Sequence, residues 1–133
     1  MSVRVTMRQQ PDGRWRATDQ EHGIDLTATD RDRCLDRVHQ AVLGILPAVS
    51  WERGPPVVFL EVIPRLVGVT EAARILGWDK RRVATYVRRG SFPDPVESLA
   101  GGRVWLMDDV LAFAEAFRIR QRTRGLQAAR RAD

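Results

Sequence analysis

Polar and apolar positions alternate through "VRVTMRQ": Val3, Val5 and Met7 fall on one side, Arg4, Thr6 and Arg8 on the other. A period of two predicts a half-buried strand. Pro11, Asp12 and Gly13 supply turn chemistry suited to a hairpin, and "RWRAT" resumes the alternation with Trp15 and Ala17 inward. Gly23 precedes a third short strand, "IDLTA". The period then lengthens. Leu35, Val38, Val42, Ile45 and Leu46 recur at helical spacing, with Thr29 or Asp30 as N-cap, Asp32 in the first turn and Pro47 as the stop. After a joining loop that holds Trp51, "VVFLEVI" is apolar on both faces, which predicts a central strand or one covered by a helix.

"IPRLVG", with Pro64 and Gly68, marks the expected boundary between two halves. Beyond it, Thr70 caps a helix that begins at Glu71 and packs through Ala72, Ala73, Ile75 and Leu76 until Gly77 ends it. Asp79 caps a second helix, Lys80 to Arg89, which Gly90 terminates. Val83, Tyr86 and Val87 point inward, leaving Lys80, Arg81, Ala84, Thr85 and Arg88 outward. Two short helices joined by a Gly-containing turn are a helix-turn-helix arrangement. "SFPDPVESLAGGRVWLMDDV" continues with two prolines, a strand "VESLA", a Gly101–Gly102 tip and a strand "RVWLM". Arg103 just past such a tip makes the hairpin a wing, with Trp105 expected beneath it against Phe92. Asp108 or Asp109 then caps a helix whose apolar face is Val110, Leu111, Ala114 and Phe117. The expected division is 1–64, 65–118, and a basic tail 119–133 that is a frayed extension or a phosphate-seeking arm. The fold class is α+β: a small antiparallel N-terminal sheet with one helix, then a winged helix-turn-helix.

Charge sharpens this picture. The 133 residues carry a net +5. Residues 1–60 hold eight Arg against eight Asp/Glu, whereas residues 61–133 hold fourteen Arg/Lys against nine acids. An excess confined to one half points to a polyanionic partner, most often nucleic acid. Cations outward on a short helix with small residues between them suit a major groove about 12 Å wide, where Arg offers a fork to guanine and Thr a methyl to thymine. The single Cys34 permits no internal disulfide. No apolar run approaches the roughly 18 residues of a membrane span, and "MSVRVTMRQQ" lacks a signal-peptide core. A cytoplasmic protein is expected. His22, His39 and Cys34 lack zinc-site spacing. Asp12, Asp19, Asp25 and Asp30 could imitate a nuclease cluster, but fall in turns or on exposed strand positions. Neither an enzyme, a metal nor a cofactor is expected.

Residues 3–63 resemble the partial ribonuclease-H-like domain of HicB antitoxins, through "PDGRWRAT", "TATDRDRCLDRVHQAV" and the apolar strand that follows. "TDQEHGIDL" stands where that family carries a "PDLPGC"-like segment. Residues 67–117 resemble the winged helix-turn-helix of the MerR and excisionase (AlpA-like) superfamily, through "TEAARILGWDKRRVATYVRRGSFPDPV", "LAGGRVW" and "DDVLAFA". The second resemblance implies DNA contacts from Lys80, Arg81, Arg82, Thr85, Arg88 and Arg89 on the helix and Arg103 on the wing. MerR members continue into a long dimer helix and an effector domain; here "RIRQRTRGLQAARRAD" follows, so dimerisation is expected of the N-terminal half. Together they imply a dimeric repressor of antitoxin type on an inverted repeat of double-stranded DNA, with a toxin protein as possible partner. The alternative is an excisionase-like recombination directionality or architectural factor.

Overall fold

The computed structural model describes residues 2–46 and 54–132, which divide into two compact units, residues 1–65 and 66–133. Pro47 and Trp51 lie outside the described residues. Taken as a whole the protein is mixed α+β.

In the first unit, β1 (Ser2–Gln9), β2 (Trp15–Thr18) and β3 (Asp25–Ala28) form an antiparallel meander, followed by α1 (Arg31–Ile45) and β4 (Val57–Ile63). The strand order is β3-β2-β1-β4. The alternation of β1 works as expected: Val3, Val5 and Met7 are buried with Trp15, Ala17 and Ala28. Asp30 is the cap of α1, its carboxylate accepting from the Arg33 N–H at 2.8 Å. Cys34, Val38 and Val42 form the buried stripe. Leu35, expected in it, is 43% exposed, because positions 34, 38 and 42 define a stripe one residue away. Gln9 is buried and holds the sheet's end together. Its Nε2 donates to the Gly13 carbonyl at 3.3 Å, and its Oε1 accepts from the Arg65 N–H at 3.0 Å.

Two expectations fail here. The sheet is mixed rather than antiparallel, since β4 runs parallel to β1, with Val5 opposite Leu60. The α1 crossover returns the chain to start a strand in the same direction. Nor is "VVFLEVI" central or covered. It is the sheet's edge, and the side chains from Val57 to Val62 are all exposed, the apolar ones by 39–50%. β2 already occupies the other side of β1, so the returning strand has only the outer position to take.

The second unit is built from α2 (Val69–Leu76), α3 (Lys80–Arg88), β5 (Leu66–Val67), β6 (Glu97–Leu99), β7 (Gly102–Leu106) and α4 (Met107–Ala132). The presumed linker contains β5, which pairs with β7 through Leu66–Leu106 and Val67–Trp105. The cap of α2 is Gly68 rather than Thr70: the Glu71 carboxylate reaches back to accept from the Gly68 N–H at 2.9 Å. The acidic residue three positions on fixes the helix start, and glycine needs no side chain for it. The tip of the β6–β7 hairpin is Ala100–Gly101, with Gly102 already paired to Leu99. α4 begins at Met107 and leaves Asp108 and Asp109 in its first turn, where the helix dipole favours carboxylates. Residues 119–132, expected as a tail, continue α4 as helix.

The core of this unit gathers Val67, Ala72, Ala73, Val83, Phe92, Trp105, Met107 and Val110. Trp105 meets Phe92 edge-on at 5.2 Å, as expected, and its indole N–H donates to the Pro93 carbonyl at 2.9 Å. No helix among the described residues is long and apolar enough to cross a membrane.

Candidate nucleic-acid interface

Three devices hold α3 in place. Asp79 caps its start, with the Asp79 carboxylate accepting from the Arg82 N–H at 2.8 Å. Its end closes with Ser91 N–H donating to the Tyr86 carbonyl at 3.0 Å and Gly90 N–H to that of Val87 at 3.1 Å. The preceding helix ends the same way, Trp78 N–H bonding Ala73 and Gly77 N–H bonding Arg74. Both endings require a left-handed residue, and Gly77 and Gly90 supply it with φ of 69° and 70°. The third device is packing. Val83 is fully buried, while Trp78, Tyr86, Phe113 and Phe117 form an aromatic cluster with ring centroids 4.7–6.3 Å apart.

On this frame Lys80, Arg81, Ala84 and Arg88 are exposed, as is Arg89 at the C-cap. Lys80, Arg81 and Arg82 fill the first turn, and no acidic residue accompanies them there. Cations at the positive end of a helix dipole are unfavourable, by about 0.3–1 kcal/mol each when exposed. Only the Asp79 cap opposes this. A sequence that sets local preference aside at one spot is usually serving function there.

Ion pairing makes the same distinction. In the first unit Arg16 holds Asp25 at 2.7 Å and Arg33 holds Asp30 at 3.5 Å. The paired carboxylate keeps the Arg16 guanidinium protonated even more firmly, and Asp25 falls below the ordinary carboxylate range for the same reason. Among the described residues, Lys80, Arg81, Arg88, Arg89 and Arg103 form no ion pair. Their charge is available to an outside anion.

Two expected contact residues are otherwise engaged. The Arg82 guanidinium lies over the Trp78 ring at 4.2 Å and the Phe117 ring at 5.5 Å, so it caps the aromatic cluster. The half-buried Thr85 donates its hydroxyl to the Arg81 carbonyl at 2.9 Å. Its hydroxyl oxygen can still accept. Arg103 is exposed on β7 opposite Ser98, one residue beyond Gly102.

Arg120 and Arg124, expected only as part of the basic tail and not as individual site residues, line a small cleft with Tyr86, Ser91, Phe117 and Gln121. The spacing Phe117, Gln121, Arg124 was the available signal, had the tail been taken as helix. The aspartates of the imagined nuclease cluster each have a local duty. Asp12 accepts from the Arg14 N–H, Asp19 from the Glu21 and His22 N–H groups, Asp25 pairs with Arg16, and Asp30 caps α1. Among the described residues no group of three or more His, Cys, Asp or Glu could hold a metal ion. No protein-family model, curated protein or solved structure matches the chain.

Proposed function

We propose that the chain is a sequence-specific, DNA-binding transcriptional regulator: a dimeric repressor of antitoxin type that binds an inverted repeat. One observation carries the reading. Among the described residues, Lys80, Arg81, Arg88 and Arg89 form no ion pair, on a helix that is capped, glycine-terminated and packed on aromatic rings. In this reading α2, α3 and the β6–β7 hairpin are a winged helix-turn-helix, and the β3-β2-β1-β4 sheet with α1 is a partial ribonuclease-H-like domain. α3 enters the major groove, where Arg81 forks to a guanine and Thr85 meets a neighbouring base. Arg88, Arg89 and Arg103 hold phosphates, which supply most of the affinity and fix the register. Unit 1 pairs two subunits and offers a face to a toxin protein.

Selection of random duplexes by the purified chain at physiological salt tests this. The expected product is an inverted repeat whose half-site centres lie about one helical turn apart, roughly 34–36 Å. Recovery of no preferred sequence overturns it, and direct repeats favour an architectural factor instead.

A further inference from the structure

β4 is an unusual edge. Natural edge strands are short, charged, bulged or covered, because a long apolar edge recruits other strands. β4 is seven residues long, lacks proline, and has one charge, Glu61. Among the described residues no strand lies on its far side. On the face it shares with α1, Val58 and Leu60 run into a mostly apolar groove with Leu35, Val38, Val42, Leu43 and Leu46, His39 being its one polar member. This face continues the row whose β1 members, Val3 and Val5, are fully buried.

From this edge we infer that two copies of the chain pair β4 to β4 antiparallel, about a two-fold axis through Leu60, joining their sheets into one of eight strands. The inference rests on the dimeric reading above and specifies its surface and register. Three features single out a second copy as the occupant. First, the strand is complementary to itself. With Leu60 opposite Leu60, Val58 meets Val62 and Val57 meets Ile63, so every directly opposed pair except one is apolar with apolar. Second, the exception is matched in charge. Phe59 faces the second copy's Glu61, and the Arg4 guanidinium already lies over the Phe59 ring, 5.0 Å from its centroid. Arg4 is opposite Phe59 on β1. A carboxylate from the next strand comes two strand spacings from the Arg4 backbone, about 9–10 Å, with both side chains reaching toward each other over the ring. Among the described residues, neither Arg4 nor Glu61 has an ion pair within its own chain. Third, an axis perpendicular to the joined sheet leaves both α1 helices on the same face. The two mostly apolar grooves then merge into one trough flanked by the exposed Leu35 and Leu43 of each copy. Such an isologous contact closes at two subunits.

The test uses the full chain without DNA. Sedimentation should give a dimer for the parent protein. Arg4→Glu and Glu61→Arg should each raise the dimer dissociation constant, roughly tenfold for the two symmetric contacts together, and the double swap should restore it. Both positions are exposed, so the variants keep their fold, which circular dichroism checks. Register is read separately. Leu60→Cys should oxidise to a cross-linked dimer, Cys34 being buried and inaccessible. Val57→Cys alone should not, whereas a mixture of Val57→Cys and Ile63→Cys proteins should. A monomeric parent, a double swap that fails to restore the dimer, or cross-linking without this register overturns the inference. A dimer that pairs elsewhere yet selects an inverted repeat leaves the regulatory reading standing; a β4-paired dimer that selects no sequence overturns that reading alone.

Discussion

At the scale of single residues, two neighbouring arginines on α3 have opposite duties. Arg81 is exposed and forms no ion pair among the described residues, while Arg82 rests on the Trp78 and Phe117 rings. Arg82→Ala should therefore lower stability by about 0.5–2 kcal/mol, seen as a lower thermal midpoint. Arg81→Ala and Thr85→Ala should leave the midpoint nearly unchanged and each lose roughly 1–3 kcal/mol of discrimination at one base position. Binding to a cognate and a scrambled duplex measures that; equal weakening of both removes them as base readers. Asp19 makes a pH argument. Desolvation pushes its carboxyl up, but the His22 and Glu21 N–H groups and the His22 ring outweigh this and hold it below the ordinary value. Its contribution to stability is thus present above the unfolded pKa, about 3.9, and is lost as pH falls through the lower folded value. Asp19→Asn should flatten the acid side of the stability–pH curve, with denaturant midpoints from pH 6 to pH 2 as the measurement.

The helices depend on their ends. Gly90 sits at φ 70° with no atom near enough to obstruct a Cβ, so Gly90→Ala tests backbone strain alone. It should cost about 1–2 kcal/mol. Gly125, inside α4 and equally unobstructed, should respond with the opposite sign: Gly125→Ala should stabilise by up to about 1 kcal/mol. Chemical denaturation of the pair reads both. On the hairpin, Arg103→Ala should weaken all duplexes alike and lower the salt slope by about one; an unchanged slope means that the hairpin does not touch phosphate. The caps at Asp30 and Asp79, the stops at Gly77 and Gly90, and the inward Val83 were legible in the sequence because each is a local rule acting within one helical turn. The cap at Gly68 and the strand Leu66–Val67 were less so. Gly68 carries no capping side chain, and Leu66–Val67 is a strand only because β7 lies beside it.

At the scale of the whole molecule, the sequence by itself determined the order of elements apart from the strand Leu66–Val67, the α+β class and the confinement of excess charge to the second half. Periodicity, caps and composition act through neighbours along the chain, so they survive without coordinates. Only the tertiary structure decided which cations are engaged and where β4 lies. Arg82 differs from Arg81 because it lies over two rings, that of Trp78 four positions back and that of Phe117 thirty-five positions on. β4 is apolar on both faces, which in sequence predicts a strand in the middle of a sheet. Its place at the edge follows from β2 having already taken the other side of β1. Long-range pairing settles such matters, because a strand's burial depends on which strands reach its two sides and not on its own residues.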